Sequence, residues 1–408
     1  MRSVALVGLF AAFLYPIGVG ELSINYIFVL YPLFLLLYDG RVMRPPDAMV
    51  LGAILFLLIF LASILYYIQL PDLVIRRIAS FLVFMSLFSY SIVRVQPHMV
   101  VAFKRAVILM SVYFSVIAIV GFLDLTAVGL VSAEAKNVVG SQRYGFIYIL
   151  GFWLVLFSLT ESAGHRVRSC LFLVIITCGL FLTFSRSSIV ALAGSLFIYV
   201  MTRVGRAVWW PRLGTLSTLA LSCAGIVFVI SVVYYQFPET IKYYDEALFG
   251  PVRDGRLVEA ANDPRSSEGM RIVRVAESMA YVLRNPVIGT GYLGIWSISE
   301  SGAGSTHSQL LDTFIRVGVV GFMFYIYLIL RLARFLARFD SPLFWGLIGI
   351  LIYGLFHETF KESQGAFVLA VLFGMFSQYV RDRRRGLVFD HWPVSVVSRK
   401  GPYDTGQA

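Results

Sequence analysis

The feature that most restricts this chain is a succession of apolar runs, each of about the length that crosses a bilayer, from its first residues to residue 380. A helix needs about 20 mostly apolar residues to span the hydrocarbon core. The runs near 3–19, 24–38, 48–68, 78–93, 106–123, 144–160, 169–184, 187–202, 213–235, 307–330, 342–357 and 364–380 approach that length. Composition agrees: 59% of the 408 residues are hydrophobic and 14% charged, where a soluble domain carries roughly 25% charged residues. The expected fold is an all-α polytopic membrane protein with about 12 transmembrane helices.

A formal net charge of +11 would suit a nucleic-acid partner, but its distribution points elsewhere. Lys and Arg gather in alternate joints: Arg41 and Arg44, then Arg94, Lys104 and Arg105, then Arg166 and Arg168, then Arg203, Arg206 and Arg212, then Arg331, Arg334 and Arg338. The short joints between them hold only Arg76, Arg77, Lys136, Arg143, Arg186 and Lys361. Cytoplasmic loops retain basic residues, so both termini are expected in the cytoplasm and no nucleic acid is implied. Cys170, Cys178 and Cys223 fall inside apolar runs and read as small core residues, not disulfide partners or metal ligands. The first apolar run leads directly into a second, with no evident signal-peptide cleavage site.

The chain thus divides into a first set of nine helices over 1–235, a long polar loop over 236–306, three further helices over 307–380 and a basic cytoplasmic tail over 381–408. The long loop falls on the outer face. Within it, "GMRIVRVAESMAYVLRNP" places Ile272, Val275, Ala276, Met279 and Leu283 on one helical face and Arg271, Arg274 and Ser278 on another. Pro286 stops that helix, and Gly289, Gly291 and Gly294 follow in a turn. An amphipathic helix across the outer helix ends is the expected picture.

Ionisable groups at the ends of spans are costly and mark candidate sites. Arg186, in "LTFSRSS", can take two oxygens of a phosphate with its planar guanidinium, or reach out to lipid headgroups. Arg271 and Arg274 suit an anion or ion pairs with Glu268 and Glu277. His307, in "GSTHSQLLD", has the chemistry of a general base at neutral pH, but the neighbouring Ser305, Thr306 and Ser308 also read as a helix cap. Asp312 and Arg316 lie one helical turn apart, as an ion pair or as cavity lining. His357 and Glu358 in "FHETFKESQG", and Arg143 in "GSQRYG", are further cavity-lining candidates, although short loops are usually polar for solvation alone. No Gly-rich phosphate loop, HExxH, CxxC or GxSxG pattern is present.

In order, spacing and sidedness, "LTFSRSS", "EGMRIVRVAESMAYVLRNPVIGTGYLGIW" and "THSQLLDTFIRVGVVGF" resemble the O-antigen ligase and O-antigen polymerase superfamily over roughly residues 180–330. The resemblance implies a GT-C-like architecture and a donor glycan carried on undecaprenyl pyrophosphate at the periplasmic face of the bacterial inner membrane. It implies that Arg186 and Arg271, with Arg274, hold the pyrophosphate, and that His307 activates the acceptor hydroxyl for an inverting transfer. No cofactor and no metal are implied, because arginines stabilise the leaving charge. Two positions depart from the usual pattern: Ser308 follows His307 where Asn is common, and Arg316 stands where a Glu is common.

The acceptor is either a second lipid-linked repeat, for a polymerase, or the lipid A core, for a ligase, and "THSQLLDTFIRVGVVGF" is slightly closer to the polymerases. The sequence leaves open whether a chain-length regulator joins the glycan substrates and membrane lipids as a partner. A flippase or secondary transporter would show related halves and paired broken helices, and neither is legible here. A scaffold would not need the arginine and histidine set. On the enzyme reading, Gly289 to Gly294 fold the loop back over a cavity, His307 stands where that cavity meets the membrane, and Asp312 and Arg316 floor it.

Overall fold

A computed structural model describes residues 2–15, 18–19, 22–23, 97–127, 144–161, 166–183, 185–204, 267–284, 286–287, 289–290, 294–295, 306–361 and 363–384. The expected spans near 24–38, 48–68, 78–93 and 213–235 lie outside these residues, as do Arg143 and Cys223. The described elements are helices α1 (Arg2–Leu14), α2 (Pro97–Ala127), α3 (Gly145–Glu161), α4 (Arg166–Leu182), α5 (Arg186–Val204), α6 (Ser267–Arg284), α7 (Gln309–Phe339), α8 (Ser341–Tyr353) and α9 (Ser363–Arg384). The one exception to the helical rule among them is a two-residue antiparallel ladder, in which Gly18 pairs with Ser23 and Val19 with Leu22. Two described helices, His98–Phe122 and Gln309–Phe339, are long and apolar enough to cross a membrane, and shorter apolar helices accompany them.

Helix α3 sits at the centre because it is apolar on every side. Phe146, Ile147, Tyr148, Ile149, Leu150 and Trp153 are all essentially inaccessible. Small residues let its neighbours approach: Gly346 of α8 meets Leu150, Gly349 meets Ile149, and Gly151 receives Ser111 of α2. Close backbone approach of this kind replaces the hydrophobic drive that lipid removes. Ser111 Oγ lies 2.8 Å from the Ile147 carbonyl, and Trp153 Nε1 donates to Ser195 Oγ at 3.1 Å. Such crossings between membrane helices contribute about 0.6 kcal/mol each. Trp153 also stacks on Trp345, tying α3 to α8.

Several boundaries differ from expectation. Helix α1 ends at Leu14, not near residue 19, because Tyr15 precedes Pro16 and is biased out of the helical region. Helix α2 begins at Pro97, nine residues earlier than the apolar run, since proline suits a first turn and the amphipathic turns after it are still helical. Helix α7 extends to Phe339, so Arg331, Arg334 and Arg338 are exposed on its last turns and not in a loop. At that end Lys104 of α2 pairs with Asp340, the N-cap of α8.

The larger difference lies inside α7. Gly318 has φ 64° and ψ −172°, which breaks the expected continuous span into two helical pieces. Glycine is what allows this backbone. The break leaves the Ile315 carbonyl and Val319 N–H without helical partners, and both are taken up by the segment after α6: Thr290 N donates to Ile315 O at 2.7 Å, and Val319 N donates to Pro286 O at 2.8 Å. Irregular backbone within a membrane protein is tolerated where protein groups complete it in this way.

Candidate functional site

His307 is the one non-glycine residue with a left-handed backbone among those described, at φ 56°. That conformation costs an L-residue about 1–2 kcal/mol, and it persists only where surrounding groups fix it. Here they do. Thr306 N–H and Thr306 Oγ both reach Glu358 Oε1, the hydroxyl at 2.8 Å. Ser308 caps α7, its Oγ accepting from Leu311 N–H. Gln309 N donates to the Gly354 carbonyl at 2.7 Å, and Gln309 Oε1 accepts from Phe360 N–H at 2.7 Å. The turn over 306–309 is therefore held by the loop over 354–361, which leaves α8.

His307 Nε2 lies 3.0 Å from Arg274 Nη1. A guanidinium has only donors, so the imidazole nitrogen in this contact presents its lone pair and the ring proton is on Nδ1. Helix α6 reaches His307 by turning its polar side inward. Ser278 and Val282 are buried, Arg274, Glu277 and Tyr281 are half-buried, and Val275, Met279 and Leu283 are exposed. The apolar stripe read from the sequence is thus the outward side, the favourable arrangement for an amphipathic helix at a membrane interface. Arg271 lies one turn before Arg274 on the same helix, and its side chain is outside the described residues.

At the same end of the bundle, α4 turns into α5 through Thr183 and Ser185. Ser185 Oγ accepts from Ser188 Oγ at 2.7 Å and is 3.1 Å from Ser187 Oγ. These bonds hold the start of α5, where Arg186 is exposed and helical N–H groups favour an anion. Ser187 Oγ lies 2.7 Å from His357 Nε2, and the His357 ring stacks on Tyr353 with centroids 4.6 Å apart. Any side chain at Gly145 would strike Ser188 and the Tyr353 ring, so the start of α3 closes the same corner just after Arg143 in sequence.

Asp312 and Arg316 form the expected ion pair, Arg316 Nε to Asp312 Oδ2 at 2.7 Å, with Asp312 buried. The glycines of the preceding segment dock on this pair and on the break beside it. Gly289 (φ 75°) leaves no room for a side chain against the backbone at Ile315–Gly318, and Gly294 (φ 59°) rests against the Arg316 guanidinium. The segment therefore splints α7 at these contacts.

Arg274, His307, Asp312, Arg316, His357, Glu358 and the Arg186 hairpin are thus tied to three adjoining structures: the start of α7, the inward side of α6 and the loop after α8. Arg274 is thus the arginine of α6 seen to reach His307. His357 and Glu358, read from the sequence as cavity-lining candidates in a short polar loop, bond to Ser187 and Thr306, whereas the sequence reading misses Gln309 and Thr306 as anchors. A polar residue at a span end was their only signal, since their partners lie about 50 positions away.

Residues 171–326 match the family model described as O-antigen ligase. No curated protein matches the chain. The match covers Arg186, Arg271, Arg274, His307, Asp312 and Arg316 and ends before His357 and Glu358.

Proposed function

We propose that this chain, which the match at residues 171–326 puts in the O-antigen ligase and polymerase superfamily, is an inner-membrane glycosyltransferase that takes its donor glycan from undecaprenyl pyrophosphate. The family points to a glycosyltransferase-like, membrane-integral enzyme of O-antigen and lipopolysaccharide biosynthesis. The contact of His307 Nε2 with Arg274 carries the finer reading, because it sets a proton acceptor against a phosphate-binding cation. In the transfer, the acceptor hydroxyl oxygen attacks the anomeric carbon and its proton passes to His307. The bond from that carbon to the pyrophosphate oxygen breaks, its electron pair leaves with the phosphate, and the configuration inverts. Arg186, Arg271 and Arg274 stabilise the charge that develops on the leaving group. When the pyrophosphate draws the Arg274 guanidinium onto itself, the His307 lone pair is released for the acceptor.

In this reading about 12 helices cross the membrane, both termini are cytoplasmic, and the site faces the periplasm. The chain divides at 235, 306 and 380 as the sequence divides it. Arg143, two residues before Gly145 in sequence, is kept as a cavity-lining candidate. The acceptor is a second lipid-linked repeat, making the enzyme a surface-polysaccharide polymerase. Transfer to the lipid A core is the alternative, favoured by the match to the O-antigen ligase family. Transport is weaker: the break in α7 is single among the described residues, and the 286–290 segment fills it.

Deleting the gene and resolving surface glycans and lipid-linked intermediates by gel tests this reading. A polymerase leaves single-repeat products without a ladder. A ligase leaves full polymer on undecaprenyl pyrophosphate with bare core lipid. Normal pools in a strain with no second copy of the activity would rule out both.

A further inference from the structure

The loop over 354–361 bonds to both sides of the site through adjacent residues. His357 reaches Ser187 on the hairpin that carries Arg186. Glu358 reaches Thr306, next to His307, through two hydrogen bonds to one carboxylate oxygen. Consecutive α-carbons are 3.8 Å apart, so two attachments at neighbouring positions leave the loop little freedom to let the hairpin and the His307 turn drift apart. The loop is itself secured. Tyr353 stacks under His357, Gly354 O and Phe360 N are bonded to Gln309, and Gly365 abuts Thr359 too closely to admit a side chain. Both residues lie beyond the stretch that matches the family model.

We propose that His357 and Glu358 are a pair of positioning residues that set the separation between the donor-holding hairpin and the base. Glu358 keeps the His307 turn in its left-handed form, and His357 keeps Ser187 and the start of α5 in place. The inference rests on the glycosyltransferase reading above, and it predicts that two adjacent substitutions have different kinetic signatures.

The test uses the full chain in proteoliposomes. Transfer is measured with lipid-linked glycan extracted from a strain lacking the gene, and affinity is measured separately with undecaprenyl pyrophosphate. Glu358→Ala lowers turnover by ~100-fold, the penalty for a base displaced by about 1 Å, and leaves undecaprenyl pyrophosphate affinity within about twofold. Glu358→Gln, whose amide oxygen accepts the same two hydrogen bonds, recovers most of the turnover. His357→Ala lowers undecaprenyl pyrophosphate affinity by ~10-fold, with turnover at saturating donor within about threefold, and His357→Gln restores the affinity. If Glu358→Ala does not fold, Thr306→Val removes the hydroxyl with its bonds to Glu358 and the Ser308 backbone, leaves the N–H bond to Glu358, and lowers turnover by ~10-fold at unchanged affinity. Equal losses of turnover and affinity in both variants, no loss in either, or a Glu358→Gln as inactive as Glu358→Ala overturns the proposal. His307→Ala run in parallel separates the two levels. No transfer by the unsubstituted chain overturns the glycosyltransferase reading, an active His307→Ala overturns His307 as the base and with it the positioning proposal, and an inactive His307→Ala beside a fully active Glu358→Ala overturns positioning alone.

Discussion

The two histidines at this end of the bundle occupy opposite kinds of surroundings. His307 stands on strained backbone at the mouth of a helix, its nitrogen against a guanidinium, its flanks bonded to a loop about 50 residues away. His357 lies flat on Tyr353 with its nitrogen on a serine hydroxyl. A stacked and hydrogen-bonded ring is the usual state of a structural histidine, whereas a strained one beside a cation has to be held there by its neighbours. On the proposed function, the difference supports His307, not His357, as the residue for proton transfer, in line with the sequence reading.

The sharpest way to break the comparison is to exchange the roles. His307→Ala should lower transfer by ~10²–10⁴-fold, as expected for a general base, with the protein still folded. Quantifying the glycan ladder against membrane protein level would measure this, and a His357→Ala loss of the same size would erase the distinction. Next in size is Arg274. Losing a charged hydrogen-bond donor to phosphate costs about 1.5–3 kcal/mol, so Arg274→Ala should weaken undecaprenyl pyrophosphate binding by roughly 10–100-fold. Arg274→Lys should recover little, because an ammonium lacks the planar fork, and titration of that lipid against purified protein would register both.

Gly318→Ala tests whether the broken helix matters to the His307 side. Forcing φ 64° and ψ −172°, a region nearly confined to glycine, on alanine costs about 1–3 kcal/mol. The expected result is a lower unfolding midpoint in detergent, with a larger drop for Gly289→Ala, whose added carbon meets the backbone of α7. The smallest effect should come from Tyr353→Leu. Loss of the ring under His357 removes about 0.5–1.5 kcal/mol, so donor affinity should change by no more than ~2–12-fold. An effect as large as that of Arg274→Ala would mean that His357 takes part directly in binding.

The membrane class, the approximate positions of the described apolar helices and the amphipathic helix α6 follow from apolar periodicity, because hydropathy and helix caps act over a few residues and are written locally. Ser308 as the cap of α7, the Asp312–Arg316 pair and the Ser185 hairpin were readable for the same reason. The break at Gly318 was not. A glycine inside an apolar run is compatible with a straight helix, and only the docking of residues 286–290 on the freed carbonyl and N–H stabilises the gap. The inward turn of α6, the approach of Arg274 to His307 and the attachment of Glu358 to Thr306 likewise depend on which surfaces meet. Amphipathic spacing fixes that a helix has two faces. Its partners across the fold decide which face turns inward, because a buried polar group is stable only where a complementary one awaits it.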